Sequence, residues 1–357
     1  MSINQYDISY CTACMNRISH VKKTLVRNIK DNEKNDNIEF VLLDYNSSDG
    51  LEKWVKSTLR KYIKTGKLKY FKTKEPLVFN RSHSRNIMFK LAQGKYICNV
   101  DADNYIGKGF TEYLLSTFKK HPNCFIVADT NREYYDIRDA LGRFSCRKDD
   151  FLSVGGYDES FVGYGPEDRD LYARLEKTGL IPQIILNTTF LRAIEHGNDE
   201  RVKNEFLYKE LRDFYIAQIN PFLSKILLLL KNNRYQYFEI QPTKYKSWIP
   251  ISVVANSFDE GEWHIENSSL ILNKNGFEKK LKSSNSKLIH TDNQEETIFY
   301  KNNTKLFRDK ILIDVPLMLN QEKVEENKRD QKIRVNLNGY GKSSGYLNFS
   351  SKKHYVE

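Results

Sequence analysis

What this sequence lacks narrows it first. Its longest apolar run, "ILLLL" at 226–230, is far too short to span a bilayer. The opening "MSINQYDISY" has no basic segment followed by an apolar one, the pattern of a secretory leader. Cysteine is scarce: there are five, with a single CxxC formed by Cys11 and Cys14. No second CxxC and no Cys/His pair at finger spacing accompany it, which argues against structural zinc. A redox pair after a strand is a second reading, and two ordinary cysteines at a strand end the simplest. Without a leader, thiols in this number fit a reducing compartment, so a cytoplasmic protein is expected. Internal repeats and nucleic-acid-binding signatures are missing too.

What is present describes a globular chain. Hydrophobic residues make up 39% of the 357, and the mean hydropathy is −0.64. The formal charge of +11 is spread along the chain: residues 1–234 carry 38 Lys+Arg against 30 Asp+Glu, and 235–357 carry 19 against 16. Such an excess suits anionic small molecules, a membrane surface or nucleic acid, and selects none of them.

The first part alternates. "YDISYC" (6–11), "IEFVLLDY" (38–45), "KLKYFKT" (67–73), "GKYICNV" (94–100) and "CFIVADT" (124–130) read as strands, the second as a buried parallel one. Between them, apolar residues recur at helical spacing, as at Ile18, Val21, Leu25 and Ile29. Asn80 or Ser82 suits the N-cap of the helix containing "SHSRNIMFKLA". This order predicts an open α/β sheet with helices on both faces, whose ligands bind beyond the carboxyl ends of its strands. Residues 11–16, 44–49 and 101–104 fall there. Residues 199–219 read as helical, "KILLLLK" as a helix able to lean on a membrane or to dock the tail, and the remainder as β-rich. A boundary is expected near 230–240, giving domains 1–234 and 235–357.

Each candidate side chain has a chemical and a plain reading. Asp101 and Asp103 end a strand one residue apart, which suits a cation between them or an Asp/Asn turn. Asp44 can accept hydrogen bonds from a base or sugar, or build a turn with Asn46 while Asp49 caps the next helix. Arg81 and Arg85 at a helix start suit a phosphate. Glu167, Asp168 and Asp170 follow a Gly/Tyr-rich loop, where one carboxylate can act as general base or all can favour a helix first turn. His196 in "IEHGN" gains interest only if the aspartates bind a metal, because a mixed O/N ligand set suits Mn2+.

In this order "YCTACMNR", "LLDYNSSDG", "SHSRN", "VDAD", "GGYDESFVGYGPEDRDL" and "EH" resemble glycosyltransferase family 2 of the GT-A fold. "VGYGPEDRDL" is also similar to the "WGWGGEDDD" stretch of the β-1,4-galactosyltransferases and of their bacterial chondroitin-polymerase relatives. The resemblance covers residues 5–215 and leaves 235–357 without a counterpart. It implies a GT-A domain, Rossmann-like and mostly parallel, followed by a smaller β-rich region. It also implies that Cys11, Thr12 and Asp44 line the uracil and ribose pocket, with Asn16 in the donor set and Arg81 and Arg85 toward the diphosphate. Asp101 and Asp103 match the DxD element, Asp103 the more direct metal ligand, and His196 completes the site for Mn2+ or Mg2+. Asp168 matches the catalytic base, and Glu167 binds acceptor or sugar hydroxyls. Pro166 replaces the second glycine of "GGED", and Val162 and Tyr164 replace tryptophans, so acceptor preference need not transfer.

The expected activity is metal-dependent, inverting transfer of a hexose or N-acetylhexosamine from a UDP-sugar to a hydroxyl of a glycan or lipid-linked glycan. The expected setting is bacterial surface polysaccharide synthesis, at most at the inner membrane face. The alternatives are a retaining transferase and a non-catalytic nucleotide-sugar-binding module. A basic nucleic-acid binder is third, and would show a steep salt dependence.

Overall fold

The apolar runs of the first half become the buried centre of one sheet. A computed structural model describes residues 6–128, 139–242, 251–254, 257–292 and 295–357. Two compact units emerge: 1–162, 166–197 and 320–357 form one, and 163–165 with 198–319 the other.

In the first unit, β1 (Tyr6–Cys14), α1 (Ile18–Asp31), β2 (Ile38–Tyr45), α2 (Leu51–Thr58), α3 (Arg60–Lys64), β3 (Leu68–Thr73), α4 (Arg81–Leu91) and β4 (Gly94–Asn99) alternate as expected. There follow β5 (Asn104–Tyr105), α5 (Phe110–Lys120), β6 (Cys124–Ala128), β7 (Phe144–Arg147), α6 (Lys148–Ser153), α7 (Glu167–Lys177), β8 (Ile181–Ile185) and β9 (Arg192–Ala193). Residues 129–130 of the strand expected at 124–130 lie outside the described residues. Strands β3, β2, β1 and β4 run parallel, β7 is antiparallel to β4 and β6, and β8 is parallel to β6. Every residue of β2 is buried, as a parallel strand covered on both faces requires. Helices α1, α2, α3 and α5 pack on one face through Val21, Leu25, Val55 and Leu114. Helices α4, α6 and α7 cover the other through Ile87, Phe151 and Leu171.

The second unit is a barrel. It contains α8 (Asn198–Val202), α9 (Phe206–Glu210), β10 (Leu211–Asn220), β11 (Leu223–Leu230), β12 (Arg234–Pro242), β13 (Ile251–Val253), β14 (Asp259–Glu266), β15 (Ser269–Lys274), β16 (Phe277–Ser284), β17 (Lys287–Asp292) and β18 (Glu295–Lys301). Antiparallel neighbours run from β10 through β18 back to β12, and pairing of β11 with β12 closes the ring. Closure removes the exposed edges that an open antiparallel sheet would carry. Leu227, Trp263, Leu270 and Phe299 belong to one cluster, and Ile226, Leu228 and Phe238 to another with Ile311 and Val315. Adjacent residues of β11 thus serve two different cores, which explains its unbroken apolar run.

Four expectations differ from the structure. Residues 199–219 are two short helices followed by a strand, and "KILLLLK" lies on strand β11 rather than on a helix. An apolar run of that length fits either element by pattern alone, and the hairpin with β10 decides it. The boundary near 234 would cut the barrel between β11 and β12. Nor does the tail all belong to the β-rich region: α10 (Lys305–Arg329) leads back to the first unit, where β19 (Ser343–Leu347) and β20 (Lys353–Val356) extend its sheet beside β3. No described helix is long and apolar enough to cross a membrane.

The returning tail supports the loop before α7. Asn336 donates to the carbonyls of Gly155 and Tyr157 at 2.8 and 2.6 Å and accepts from the Glu159 amide at 3.1 Å. Asn336→Ala takes away these partners of the Gly155 carbonyl and the Glu159 amide, while the Tyr157 carbonyl keeps Asn86, and is expected to lower unfolding free energy by about 1–3 kcal/mol in a urea titration.

Candidate functional site

The carboxyl ends of β1, β2 and β4 are joined by a network of short polar side chains. Asn16, with φ 54°, accepts from the Ser48 amide at 2.8 Å, and its own amide donates to Ser47 Oγ at 3.0 Å. Asp49 accepts from the Ile18 amide at 2.8 Å, supplying from the β2 loop the cap that α1 lacks locally. It also accepts from Leu51, as expected of a cap for the next helix. Thr12 donates to the Val100 carbonyl at 2.8 Å, tying β1 to the end of β4.

Two members of the expected nucleotide pocket are fully buried. Cys11 is fully buried three residues before the end of β1, in the cluster of Val41 and Met88. Cys14 falls in the opposite cluster, because positions three apart on a strand face opposite ways. The pair therefore forms neither a redox nor a metal site, and burial pushes the Cys14 thiol up to about 12. Asp44 is also fully buried, accepting from Tyr70 Oη at 2.6 Å and the Ser47 amide at 2.8 Å. Burial raises its carboxyl, with both hydrogen bonds opposing. Its turn-building reading is the one the geometry matches.

Asp103 and His196 meet through backbone pairing. β5 pairs with β9, and the Ile194 amide donates to the Asp103 carbonyl at 2.8 Å. His196 Nε2 then lies 2.6 Å from Asp103 Oδ2, while Asn104 Nδ2 donates to Oδ1 at 2.7 Å. Arg17 Nη1 stands 3.2 Å from Asp103 Oδ2 and 3.3 Å from His196 Nε2. A carboxylate and an imidazole converging where a cationic nitrogen already rests form a donor pair that fits a divalent cation. Asp101 is engaged elsewhere: Asn99 Nδ2 donates to its Oδ1 at 3.0 Å, and Arg85 Nη2 lies 3.6 Å away. Burial alone would raise the Asp101 carboxyl, but Arg85 and Asn99 hold it below its ordinary value. Among the described residues, no three His, Cys, Asp or Glu side chains already surround one point.

The second centre is an acid pair on a buried arginine. Helix α4 starts at Arg81 with Asn80 as N-cap, accepting from His83 at 2.9 Å. One turn on, Arg85 Nη1 donates to Glu167 Oε1 at 2.8 Å and to Asp168 Oδ1 at 3.0 Å. Tyr157 Oη donates to the same Asp168 Oδ1 at 2.8 Å, and its ring lies 5.2 Å from the Arg85 guanidinium carbon. Asn86 fixes Tyr157 by exchanging two backbone hydrogen bonds with it at 2.9 Å. Burial and the Asp168 charge push the Glu167 carboxyl up to about 7, with Arg85 and Arg81 opposing. Burial likewise raises Asp168. Asp170 has a structural role, paired with Arg174 at 2.8 Å, while Arg174 also holds the carbonyls of Val154 and Gly156.

Arg17, Asn99, Gly142 and Tyr157 were not singled out in the sequence. Only "MNR", a polar run after a strand, pointed toward Arg17. A Cβ at Gly142 would sit 2.7 Å from Asp101 Oδ2 and 3.2 Å from Arg85 Nη2. Gly142→Ala is therefore expected to displace both groups and lower turnover by up to about 100-fold. A thermal midpoint near the parent's, measured alongside, separates this from misfolding.

Residues 9–156 match the model of glycosyl transferase family 2, and residues 123–196 that of the N-terminal domain of galactosyltransferase. The N-terminal part of this chain thus matches two glycosyltransferase family models, as the motif order implied. No curated protein matches the chain by sequence. Among solved structures, S. aureus TarS 1-349 is 15% identical, with 50% of this chain and 58% of that one covered and a TM-score of 0.41. The mannosyltransferase PcManGT from Pyrobaculum calidifontis, in complex with GDP-Man and Mn2+, is 16% identical over 51% and 56%, with a TM-score of 0.42. Drosophila β1,4-galactosyltransferase 7 in complex with xylobiose is 14% identical over 56% and 74%, with a TM-score of 0.39. The chain thus spans just over half the length of the first two.

Proposed function

We propose that the chain is a metal-dependent, inverting glycosyltransferase that moves a hexose or N-acetylhexosamine from a UDP-sugar to a glycan hydroxyl. Bacterial surface polysaccharide synthesis is the setting this reading carries with it. The observation that supports it best is the placement of the Glu167–Asp168 pair on Arg85, whose other nitrogen faces Asp101. Asp168 Oδ1 is anchored by two donors, and Oδ2 has no hydrogen-bond partner among the described residues. The free oxygen is the one that takes the acceptor's proton, so that the acceptor oxygen attacks the anomeric carbon from the face opposite the leaving group. Glu167, buried and partly protonated near neutrality, is suited to hold a sugar hydroxyl. Asp103 and His196 would hold the divalent cation, which supplies positive charge against the leaving diphosphate when bound.

The test is a donor panel: protein with Mn2+ or EDTA and UDP-Gal, UDP-GalNAc, UDP-Glc, UDP-GlcNAc or a GDP-sugar, scored as released nucleotide diphosphate. One UDP-sugar consumed only with metal, and not by Asp103→Ala, is the expected result. UDP binding with no turnover, even with glycan acceptors present, would favour the non-catalytic module. Absence of UDP binding would overturn the reading, and product anomericity separates inversion from retention.

A further inference from the structure

Helices α1, α2 and α3 lie side by side on one face of the first unit, burying Val21, Leu25, Val55 and Leu59 beneath them. Their outward sides are lopsided in charge. The three helices carry nine Lys and Arg residues and two acidic ones. Both acids are already committed, Asp31 to Arg27 and Glu52 to Lys72, each at 2.8 Å. None of the other eight cations has an ion-pair partner among the described residues. Lys53, Lys56, Arg60, Lys61 and Lys64 are exposed on α2 and α3. Lys22 and Lys23 are exposed on α1, and Lys22 Nζ lies 6.0 Å from the Trp54 ring, which joins the two helices into one surface.

We infer that this helical layer is a docking face for an anionic lipid bilayer. The cations are spread over three helices packed on one core face, which suits a plane of charge better than a single threaded polymer. Seven of the eight are lysines, compact point charges on flexible stems, rather than arginines set for bidentate contacts. No large apolar side chain on these helices is exposed as an anchor; Tyr62 is buried and Trp54 is partly buried beside Lys22, which leaves one aromatic rather than a row of them for stacking nucleic-acid bases. Attachment is accordingly electrostatic, reversible and screened by salt. The face also borders the candidate site, because Arg17, which touches Asp103 and His196, immediately precedes α1. A lipid-borne acceptor would then be held beside the reacting groups. The inference rests on this layer alone and not on the transfer reading, so either can fail without the other.

Vesicle flotation of the full chain tests it, with phosphatidylcholine alone and with phosphatidylcholine containing phosphatidylglycerol. The protein is expected to float only with the anionic vesicles and to be released by salt. Lys56→Gln/Arg60→Gln/Lys64→Gln should lower partition by about 100-fold, at roughly fivefold per cation. Lys22→Gln/Lys23→Gln, a second variant should the first misfold, should lower it by about 25-fold on the same basis. Lys280→Gln/Lys282→Gln/Lys287→Gln, the same charge change on the barrel, should leave flotation unchanged. Equal flotation with neutral vesicles, or equal loss in the barrel variant, overturns the inference. So does binding of single-stranded RNA without vesicle binding, which would make the face a nucleic-acid surface.

Discussion

Asp168→Asn should lower sugar transfer by about 10²–10⁴-fold while leaving donor affinity within a few-fold of the parent. The geometry explains why the effect separates in this way. Arg85 and Tyr157 both donate to Oδ1, which fixes the carboxylate plane and leaves Oδ2 as the proton acceptor. Asparagine preserves the shape and can keep its carbonyl oxygen on the same two donors, but its amide cannot take a proton. Transfer rates with saturating acceptor, together with calorimetric binding of the nucleotide sugar, measure the two halves of the prediction. A variant that transfers sugar at the parent rate would remove Asp168 from the base role and return the acidic first turn of α7 to simple helix stabilisation. Tyr157→Phe gives a finer check, because it keeps the carboxylate and removes one of its two anchors.

Arg85→Ala should be the most destabilising single change at the site, costing about 3–5 kcal/mol above neutral pH. Arg85 is buried and neutralises two carboxylates at once, and nothing else sits within ion-pair distance of Glu167 or Asp168 among the described residues. The loss depends on pH, with a definite sign. In the parent, burial already pushes the Glu167 carboxyl from 4.5 to about 7, so the folded chain binds more protons than the unfolded chain in that window. Stability therefore falls as pH rises through it. Removing Arg85 takes away the opposing charge and moves the window upward. Urea unfolding of parent and variant above and below neutrality should show a deficit that shrinks on acidification, as protons replace the guanidinium. A deficit equal at both would mean that the arginine acts by packing rather than by charge.

Local pattern was enough for the alternating half of the chain. The near-continuous apolar run 38–45, the helical spacing of Ile18 to Ile29 and the Asn80 cap all correspond to the elements observed. These signals are legible because burial on one or both faces imposes a period of two, three to four, or none on neighbouring residues. The same pattern misassigned "KILLLLK", since an apolar run serving two cores looks alike in a helix and a strand, and only the hairpin with β10 and closure against β12 distinguish them.

For the site, the sequence by itself determined which chemical groups are available and their order: Asp101 and Asp103 at a strand end, Glu167 and Asp168 at a helix start, and His196 in a loop. Tertiary structure alone decided their partners. It set Arg17 against Asp103 and His196, turned Asp101 toward Arg85, and gave Arg85 to the acid pair rather than leaving it free for a phosphate. It also sent Cys11 and Asp44 into the core and brought the tail back beside β3. The physical reason is common to these cases. A side chain's type and its nearest neighbours follow from local sequence, but a charge pairs with whatever the fold brings within about 4 Å, and those contacts join residues far apart in the chain.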